Sequence, residues 1–159
     1  NCMQRMSGIA TKTRHIVKLL EGTKAQVLDT RKTTPGIRLL EKWAVKIGGG
    51  VNHRFGLYDM MMIKDNHIDF AGSIEAAIEK ANSYQIEKGL NIPIEVEARN
   101  LDEVKEIMRV GNVQRIMLDN FSYTDTRIAV EHIGPIPRAP GPGPPSCSWS
   151  SDVKEKPLA

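Results

Sequence analysis

Three short stretches of the sequence combine cationic side chains with residues that turn the chain. They are Thr30-Arg31-Lys32, His53-Arg54 after the triple glycine at residues 48–50, and Lys64 within IKDNH at residues 63–67. Arginine binds carboxylates and phosphates through paired N–H groups, and lysine is a compact charge suited to phosphate oxygens. Together these stretches predict a pocket for a small, multiply charged anion.

Two acidic residues, Glu97 and Asp119, complete the set of candidates. Such carboxylates can bind ribose hydroxyls or a hydrated Mg²⁺, an ion that keeps several waters and needs only one or two protein carboxylates. Cations for anionic groups and acids for sugar and metal are the combination that a phosphorylated sugar requires.

The candidate residues lie at or just after the ends of predicted strands. Short apolar runs predict strands at residues 24–28, 57–63, 92–98 and 115–118, and helical periodicity predicts helices at residues 7–21, 35–47, 73–88, 101–110 and 124–133. Ser7 is the expected N-cap of the first helix, and Pro35 is placed at an early position of the second. Repeated strand–helix units predict an α/β fold with a parallel sheet, in which active sites lie at the carboxyl ends of the strands.

Several charged residues also have a structural interpretation. We interpret Arg38 and Lys42 as solvent-exposed charges on a helix face, and Asp29 and Asp59 as partners that orient the arginines. His53 is open to either reading, a satisfied structural histidine or a binding residue.

The composition indicates a globular protein and no generic nucleic-acid site. The chain has 159 residues, of which 40% are hydrophobic, and a formal net charge of +3, with its cations interspersed among acids. No apolar run reaches transmembrane length, so we expect no membrane partner. The two cysteines, Cys2 and Cys147, lack the spacing of metal ligands, which favours a reduced, cytoplasmic setting.

The sequence changes character at Gly134. Residues 134–145 are rich in proline and glycine, which exclude a helix or a central strand. We therefore expect a catalytic domain at residues 1–133 and an aberrant, disordered tail at residues 134–159.

Five phrases of the sequence together resemble the quinolinate phosphoribosyltransferase family, also called carboxylating nicotinate-nucleotide pyrophosphorylase. They are MSGIAT at residues 6–11, DTRKTTPG at 29–36, GGGVNHR at 48–54, IKDNH at 63–67 and LDNF at 118–121. The resemblance implies an incomplete parallel βα barrel of the type II phosphoribosyltransferase kind. Relative to the family, the chain lacks the N-terminal domain and the last barrel strands, so we expect a truncated barrel.

The resemblance also implies a reaction, transfer of phosphoribose from phosphoribosyl pyrophosphate to quinolinate with decarboxylation, in a homodimer or larger homo-oligomer that uses Mg²⁺. By motif position, Thr30, Arg31, His53 and Arg54 are expected to bind the quinolinate carboxylates. The expected catalytic residues are those that contact substrate or sugar-diphosphate anions and those that contact ribose and metal, namely Lys32, Lys64, Glu97 and Asp119. The two carboxylates would hold the metal through water.

Two alternatives stay open at this point. One is a phosphoribosyltransferase-like paralogue that acts on another anion, and the other is an inactive fragment that only binds a partner chain. Retention of Arg31 together with His53 and Arg54 favours quinolinate over another anion.

Overall fold

The computed structural model describes residues 1–134, which contain six helices and three strands. The chain divides into two compact units, Asn1–Met61 and Met62–Ala159. Residues 135–159 lie outside the described residues, so the predicted tail and its boundary stay predictions. No helix among residues 1–134 is long and apolar enough to cross a membrane.

The first unit contains two helices, α1 (Cys2–Leu19) and α2 (Arg38–Ile47). The triple glycine after α2 lets the chain pass very close to α1. A Cβ atom at Gly48 would lie 2.7 Å from Cβ of Thr13, and one at Gly50 would lie 2.8 Å from Cγ1 of Val45. Only glycine fits at these two positions without displacing neighbours.

Two helix starts in the first unit differ from the prediction. Helix α1 begins at Cys2 with Asn1 as N-cap, so Ser7 lies within the helix. Helix α2 begins at Arg38, and Pro35 lies in the turn before it. The turn persists because Gly36 has a φ of +80° and the N–H of Ile37 binds the carbonyl of Thr34 at 3.3 Å.

The predicted strand at residues 24–28 is wrong. Leu28 forms only an isolated parallel bridge with Val51. Two backbone hydrogen bonds support it, one on each side of Leu28. The pairing ends there because the backbone N–H of His53 donates to the side chain of Asp29 and not to a backbone carbonyl, so the ladder does not continue past Val51.

In its described part, up to residue 134, the second unit holds the sheet, apart from Met61, and four helices. The strands are β1 (Met61–Ile63), β2 (Ile94–Ala98) and β3 (Arg115–Leu118), in the order β1-β2-β3. Strands β2 and β3 are parallel, with Glu97 opposite Met117. The helices are α3 (Asp65–Ala71), α4 (Ile74–Lys88), α5 (Leu101–Val110) and α6 (Tyr123–Ile133). This arrangement confirms an α/β fold with parallel strand pairing.

Side-chain caps fix where three of these helices begin. The side chains of Ser73, Asn100 and Ser122 accept backbone N–H groups at the starts of α4, α5 and α6. Such a cap contributes about 1 kcal/mol. Helix α5 and strand β3 have the bounds that the sequence predicts. Helix α3 is not predicted, and β1 is shorter than the predicted 57–63 because a turn closed by Asp59 occupies the residues before it.

The core of the second unit lies on one face of β2. Ile94, Val96 and Ala98 are fully buried, together with Val104 and Ile107 of α5. Because side chains alternate along a strand, the opposite face of β2 carries Glu95 and Glu97. The sheet therefore has an apolar face that packs on α5 and a second face that carries carboxylates.

Candidate functional site

The candidate residues lie in two groups, one in each compact unit. The first unit contains Thr30, Arg31, Lys32, His53 and Arg54, and the second contains Lys64, Glu97 and Asp119.

The loop that carries Arg31 and Lys32 is braced by its own threonines. The hydroxyl of Thr30 accepts the backbone N–H of Lys32 at 3.0 Å, and the N–H of Thr33 donates to the carbonyl of Arg31 at 2.9 Å. Arg38 adds a brace from α2, because its guanidinium donates to the carbonyl of Arg31 at 3.3 Å and to the hydroxyl of Thr33 at 3.1 Å. The backbone around the two cations is thus held on both sides.

The guanidinium of Arg31 retains an unsatisfied donor. Its Nε is buried and has no hydrogen-bond partner within residues 1–134. A buried donor without a partner costs about 1–3 kcal/mol, and such groups are rare in native structures. An acceptor of a bound anion would satisfy this donor.

The loop that carries His53 and Arg54 is held by two carboxylates. Asp29 accepts the backbone N–H of His53 at 2.8 Å, and Asp59 accepts the N–H groups of Phe55 at 2.6 Å and Gly56 at 2.9 Å. These two aspartates therefore hold the backbone of the loop that carries His53 and Arg54. Burial alone would raise the pKa of Asp59, but the hydrogen bonds from Phe55, Gly56 and its own N–H and the charge of Lys42 outweigh it and lower the pKa.

The side chains of this second loop are largely enclosed. His53 is 9% exposed, and Arg54 donates through Nη1 to the carbonyl of Met60 at 3.3 Å. Arg38 also reaches this loop, with a hydrogen bond of 3.2 Å from Nη1 to the carbonyl of Phe55. One arginine of α2 thus braces both cationic loops of the first unit.

The interpretation of Arg38 and Lys42 as exposed charges is wrong. Arg38 is partly buried by the contacts above, and Lys42 is only 2% exposed. The ammonium of Lys42 is 2.5 Å from Oδ1 of Asp29, which compensates its burial. The sequence signal for a buried Lys42 was Asp29, which directly follows a predicted strand. A carboxylate buried at such a place needs a cationic or N–H partner.

A small concave pocket opens beside the first loop. It has a volume of about 140 Å³ and is lined by Ile9, Asp29, Thr30, Lys32, Thr33, Glu41, Lys42 and Val45. Of the candidate residues, the pocket brings together Thr30 and Lys32.

Glu41 anchors the end of the same loop. Its carboxylate accepts the N–H and the hydroxyl of Thr34, both at 2.9 Å, and Nε of Arg5 at 2.6 Å. The hydrogen bond from the Thr34 N–H, followed by those from Arg5 and the Thr34 hydroxyl, lowers the pKa of Glu41 despite its burial. The chain after Lys32 is therefore tied to both helices of the first unit.

In the second unit the structure brings Lys64 and Glu97 together. Their charged atoms are 3.3 Å apart, with side-chain exposures of 45% and 12%. Lys64 is the N-cap residue of α3, and its backbone N–H donates to Nδ1 of His67 at 3.0 Å. The local helix start thus fixes the backbone from which this lysine extends.

Asp119 lies just past the end of β3. Its N–H donates to the carbonyl of Ala98 at 2.9 Å, which continues the β2–β3 ladder by one residue. Since Met117 is opposite Glu97 and side chains alternate, Asp119 is on the same face as Glu97. The next residue, Asn120, has a φ of +54° and donates to Oδ2 of Asp119 at 2.9 Å.

The two carboxylates are compatible with a hydrated magnesium ion. Within residues 1–134 there is no group of three or more His, Cys, Asp or Glu side chains arranged to hold a metal. Glu97 and Asp119 on one face supply the one or two carboxylates that Mg²⁺ needs when it keeps most of its waters.

Comparisons with known proteins agree on one family. Residues 9–139 match the family model described as quinolinate phosphoribosyl transferase, C-terminal domain. Over 125 residues, 76% of this chain, the sequence is 52% identical to the chloroplastic nicotinate-nucleotide pyrophosphorylase (carboxylating) of Arabidopsis thaliana and 50% identical to the mitochondrial quinolinate phosphoribosyltransferase (decarboxylating) 2 of Nicotiana glauca. The matched region spans only 35% of the length of each relative.

Solved structures of similar proteins match the fold. NadC from Streptococcus pyogenes is 44% identical with a TM-score of 0.77, covering 84% of this chain and 45% of that one. The nicotinate-nucleotide pyrophosphorylase of Francisella tularensis is 47% identical with a TM-score of 0.74, covering 80% of this chain and 44% of the other.

Proposed function

Since the chain belongs to the quinolinate phosphoribosyl transferase C-terminal domain family, we propose that it forms part of an enzyme of NAD biosynthesis. The enzyme transfers phosphoribose from phosphoribosyl pyrophosphate to quinolinate and yields nicotinate mononucleotide, pyrophosphate and carbon dioxide. The observation that carries this proposal is the arrangement of the two cationic loops, which meet at Asp29 in the first unit: its carboxylate binds the N–H of His53, and its backbone leads into Thr30.

The first unit supplies the groups for a pyridine dicarboxylate. Quinolinate carries two adjacent carboxylates, and paired N–H donors of arginine match the geometry of a carboxylate. We assign this role to Arg31 and Arg54, with Thr30 and His53 as further hydrogen-bonding groups. The unsatisfied Nε of Arg31 supports the assignment, because a carboxylate oxygen is the acceptor it lacks.

The remaining candidates suit the sugar diphosphate. Lys32 and Lys64 are assigned to its anionic oxygens, and Glu97 and Asp119 to the ribose hydroxyls and the metal. The ion pair between Lys64 and Glu97 supports this division, because each side chain then keeps a partner of opposite charge in the absence of substrate.

The reaction needs electrostatic stabilisation and no side-chain nucleophile. The bond from C1 of ribose to the pyrophosphate oxygen breaks, and a bond from C1 to the ring nitrogen forms. Positive charge at C1 is stabilised by Glu97 and Asp119, and negative charge on pyrophosphate by Lys32 and Lys64. The positive ring nitrogen then favours loss of the adjacent carboxylate as carbon dioxide, and a proton is taken up at that ring carbon.

Glu97 and Asp119 would hold Mg²⁺ through water. When bound, the ion neutralises charge on the pyrophosphate oxygens.

The finer fold and the assembly form part of the same proposal. We assign the strand–helix units to an incomplete parallel βα barrel, completed by segments such as the longer relatives possess. Leu39, Trp43 and Ile47 recur every four residues on α2 and are 56–67% exposed, which supports a homodimer or larger homo-oligomer. A cytoplasmic compartment stays our proposal, to be tested by cell fractionation against the plastid and mitochondrial locations in the relatives' names.

The test is a binding comparison between quinolinate and nicotinate. The protein used is this chain joined to the flanking segments of a full-length relative, called the extended version below. Binding is measured by calorimetry. Quinolinate should bind at least about tenfold more tightly than nicotinate. Nicotinate has one carboxylate and leaves a charged donor of the site unmatched, which costs about 1.5–3 kcal/mol. Equal binding of the two acids would refute the proposal.

A further inference from the structure

The first unit contains a buried charge pair to which the proposed reaction assigns no role. Lys42 of α2 and Asp29 have side-chain exposures of 2% and 8%, with Nζ and Oδ1 separated by 2.5 Å. Removing two charges from water costs several kcal/mol per ion unless the remaining donors and acceptors are satisfied. A buried pair of this kind therefore needs further partners, and the contacts around it show which they are.

The further partners all come from the second cationic loop. Lys42 donates to the carbonyl of His53 at 3.0 Å, and Asp29 accepts the N–H of the same residue at 2.8 Å. The amide of Asn52, oriented with its nitrogen toward acceptors, donates to Oδ2 of Asp29 and to the carbonyl of Lys42, both at 2.9 Å. Both peptide groups of His53 are thus bound to one ion pair.

The same ion pair borders the first cationic loop. Asp29 directly precedes Thr30, and its backbone N–H donates to the carbonyl of Val51 at 3.2 Å. Beyond this short bridge the two segments form no ladder, so side chains determine their separation. Besides Arg38, the Lys42–Asp29 pair is a second contact that joins α2 to both loops, and it lies at their base.

We propose that Lys42 is a positioning residue that sets the spacing of the two cationic loops for a pyridine dicarboxylate. This inference rests on the proposed function, because it assumes that the loops bind the carboxylates of quinolinate. Lys42 binds Asp29 and the backbone of His53, and through these contacts it acts on the two loops. Its loss should therefore weaken the binding of the dicarboxylate more than the chemical step.

The variant Lys42→Met tests this in the extended version, with Lys46→Met as the matched control, since Lys46 lies one turn further on α2 and is exposed. We expect the dissociation constant and KM for quinolinate to rise about tenfold to hundredfold in Lys42→Met, with kcat changed less than about threefold. Lys46→Met should retain the wild-type constants. Equal quinolinate binding by Lys42→Met and wild type would overturn the inference.

A second variant separates positioning from mere stability. Replacing both charges in Asp29→Leu/Lys42→Met removes the buried ions together, which is often neutral for stability. We expect its urea midpoint to recover toward wild type while quinolinate binding stays weak, because the His53 backbone has lost its partners. If affinity recovers along with stability, the pair is only structural and the inference is wrong.

Two further measurements cover the remaining outcomes. If both Lys42 variants fail to fold, Asn52→Ala keeps both buried charges and removes only the amide's hydrogen bonds to Oδ2 of Asp29 and to the carbonyl of Lys42. It should still raise the dissociation constant about threefold to tenfold; unchanged binding there would overturn the inference. Failure of the wild-type extended protein to bind quinolinate would instead refute the proposed function. In that case hydrogen exchange of the backbone amides tests the contacts among Lys42, Asp29 and His53. The His53 N–H should exchange faster in Lys42→Met than in Lys46→Met.

Discussion

The anchoring of the Arg31 loop by Glu41 leads to a quantitative prediction about Glu41→Gln. The carboxylate accepts three hydrogen bonds, from Nε of Arg5 and from the N–H and hydroxyl of Thr34. Glutamine keeps the shape but replaces one oxygen by a donor, so at least one of the three donors loses its acceptor. A lost hydrogen bond to a charged, buried group costs about 1.5–3 kcal/mol. We expect the free energy of unfolding at pH 7 to fall by about that amount.

The same substitution has a predictable pH dependence. Because the pKa of Glu41 is lowered in the folded protein, its carboxylate stabilises the fold above the unfolded pKa, near 4.5. This stabilisation is lost as the pH falls through the folded pKa. The stability difference between wild type and Glu41→Gln should therefore be constant above about pH 5 and shrink at lower pH.

Urea unfolding from pH 3 to pH 8, followed by circular dichroism, measures this difference. The exposed residue Glu21 provides the control variant, Glu21→Gln, which should change the free energy of unfolding by less than about 0.5 kcal/mol. A Glu41→Gln effect below 0.5 kcal/mol, or one of constant size from pH 3 to pH 8, would refute the role assigned to this carboxylate.

Three other predictions concern the proposed site and the core. Arg31→Lys should weaken quinolinate binding about tenfold or more while the melting temperature stays within a few degrees, because lysine cannot make the paired contact, and exposed Arg14→Lys is its calorimetric control. In steady-state assays, Glu97→Gln and Asp119→Asn should lower kcat more than they raise the quinolinate dissociation constant, and normal turnover in Asp119→Asn would remove it from the reaction. Fully buried Ile94→Ala should lower the free energy of unfolding by about 2–5 kcal/mol in urea titrations, and a loss under 1 kcal/mol would contradict its place in the core.

The parts of the fold that local chemistry determines could be predicted from the sequence. Helix α5 has its predicted bounds because Asn100 caps its start and Gly111 follows its end. Strand β3 likewise has its predicted bounds between the turn at Asn112 and Asp119. Short-range hydrogen bonds and apolar periodicity act within a few residues of each other, so the sequence pattern contains them.

The misses arise where contacts distant in sequence decide the structure. On α2 the apolar residues Leu39, Trp43 and Ile47 are exposed, whereas Lys42, which we interpreted as an exposed charge, is buried. The buried face carries Glu41 and Lys42 instead, because their partners are Thr34 and Asp29. Apolar periodicity cannot reveal such a face, because its charges can be buried only where the loops supply hydrogen-bonding and charged partners.

The candidate site residues stay predictions from residue type and motif, and of the groups that hold them only Asp29 and Asp59 were expected from the sequence. Residue type and motif identify Arg31, Lys64 and Glu97, and the structure adds the ion pair of the last two. The braces from Arg38 and the Lys42–Asp29 pair depend on how α2 packs against the loops. The sequence alone does not reveal them, because a lysine on an amphipathic helix is most often exposed.

The proposed role of these residues is phosphoribosyl transfer to quinolinate. The most direct measurement is a turnover assay of the extended version with phosphoribosyl pyrophosphate, Mg²⁺ and either quinolinate or nicotinate, following nicotinate mononucleotide and carbon dioxide. We expect quinolinate to yield both products in equal amounts and nicotinate to yield no nucleotide. Formation of nucleotide from nicotinate without carbon dioxide, or no product from quinolinate by a folded protein, would contradict the proposed role.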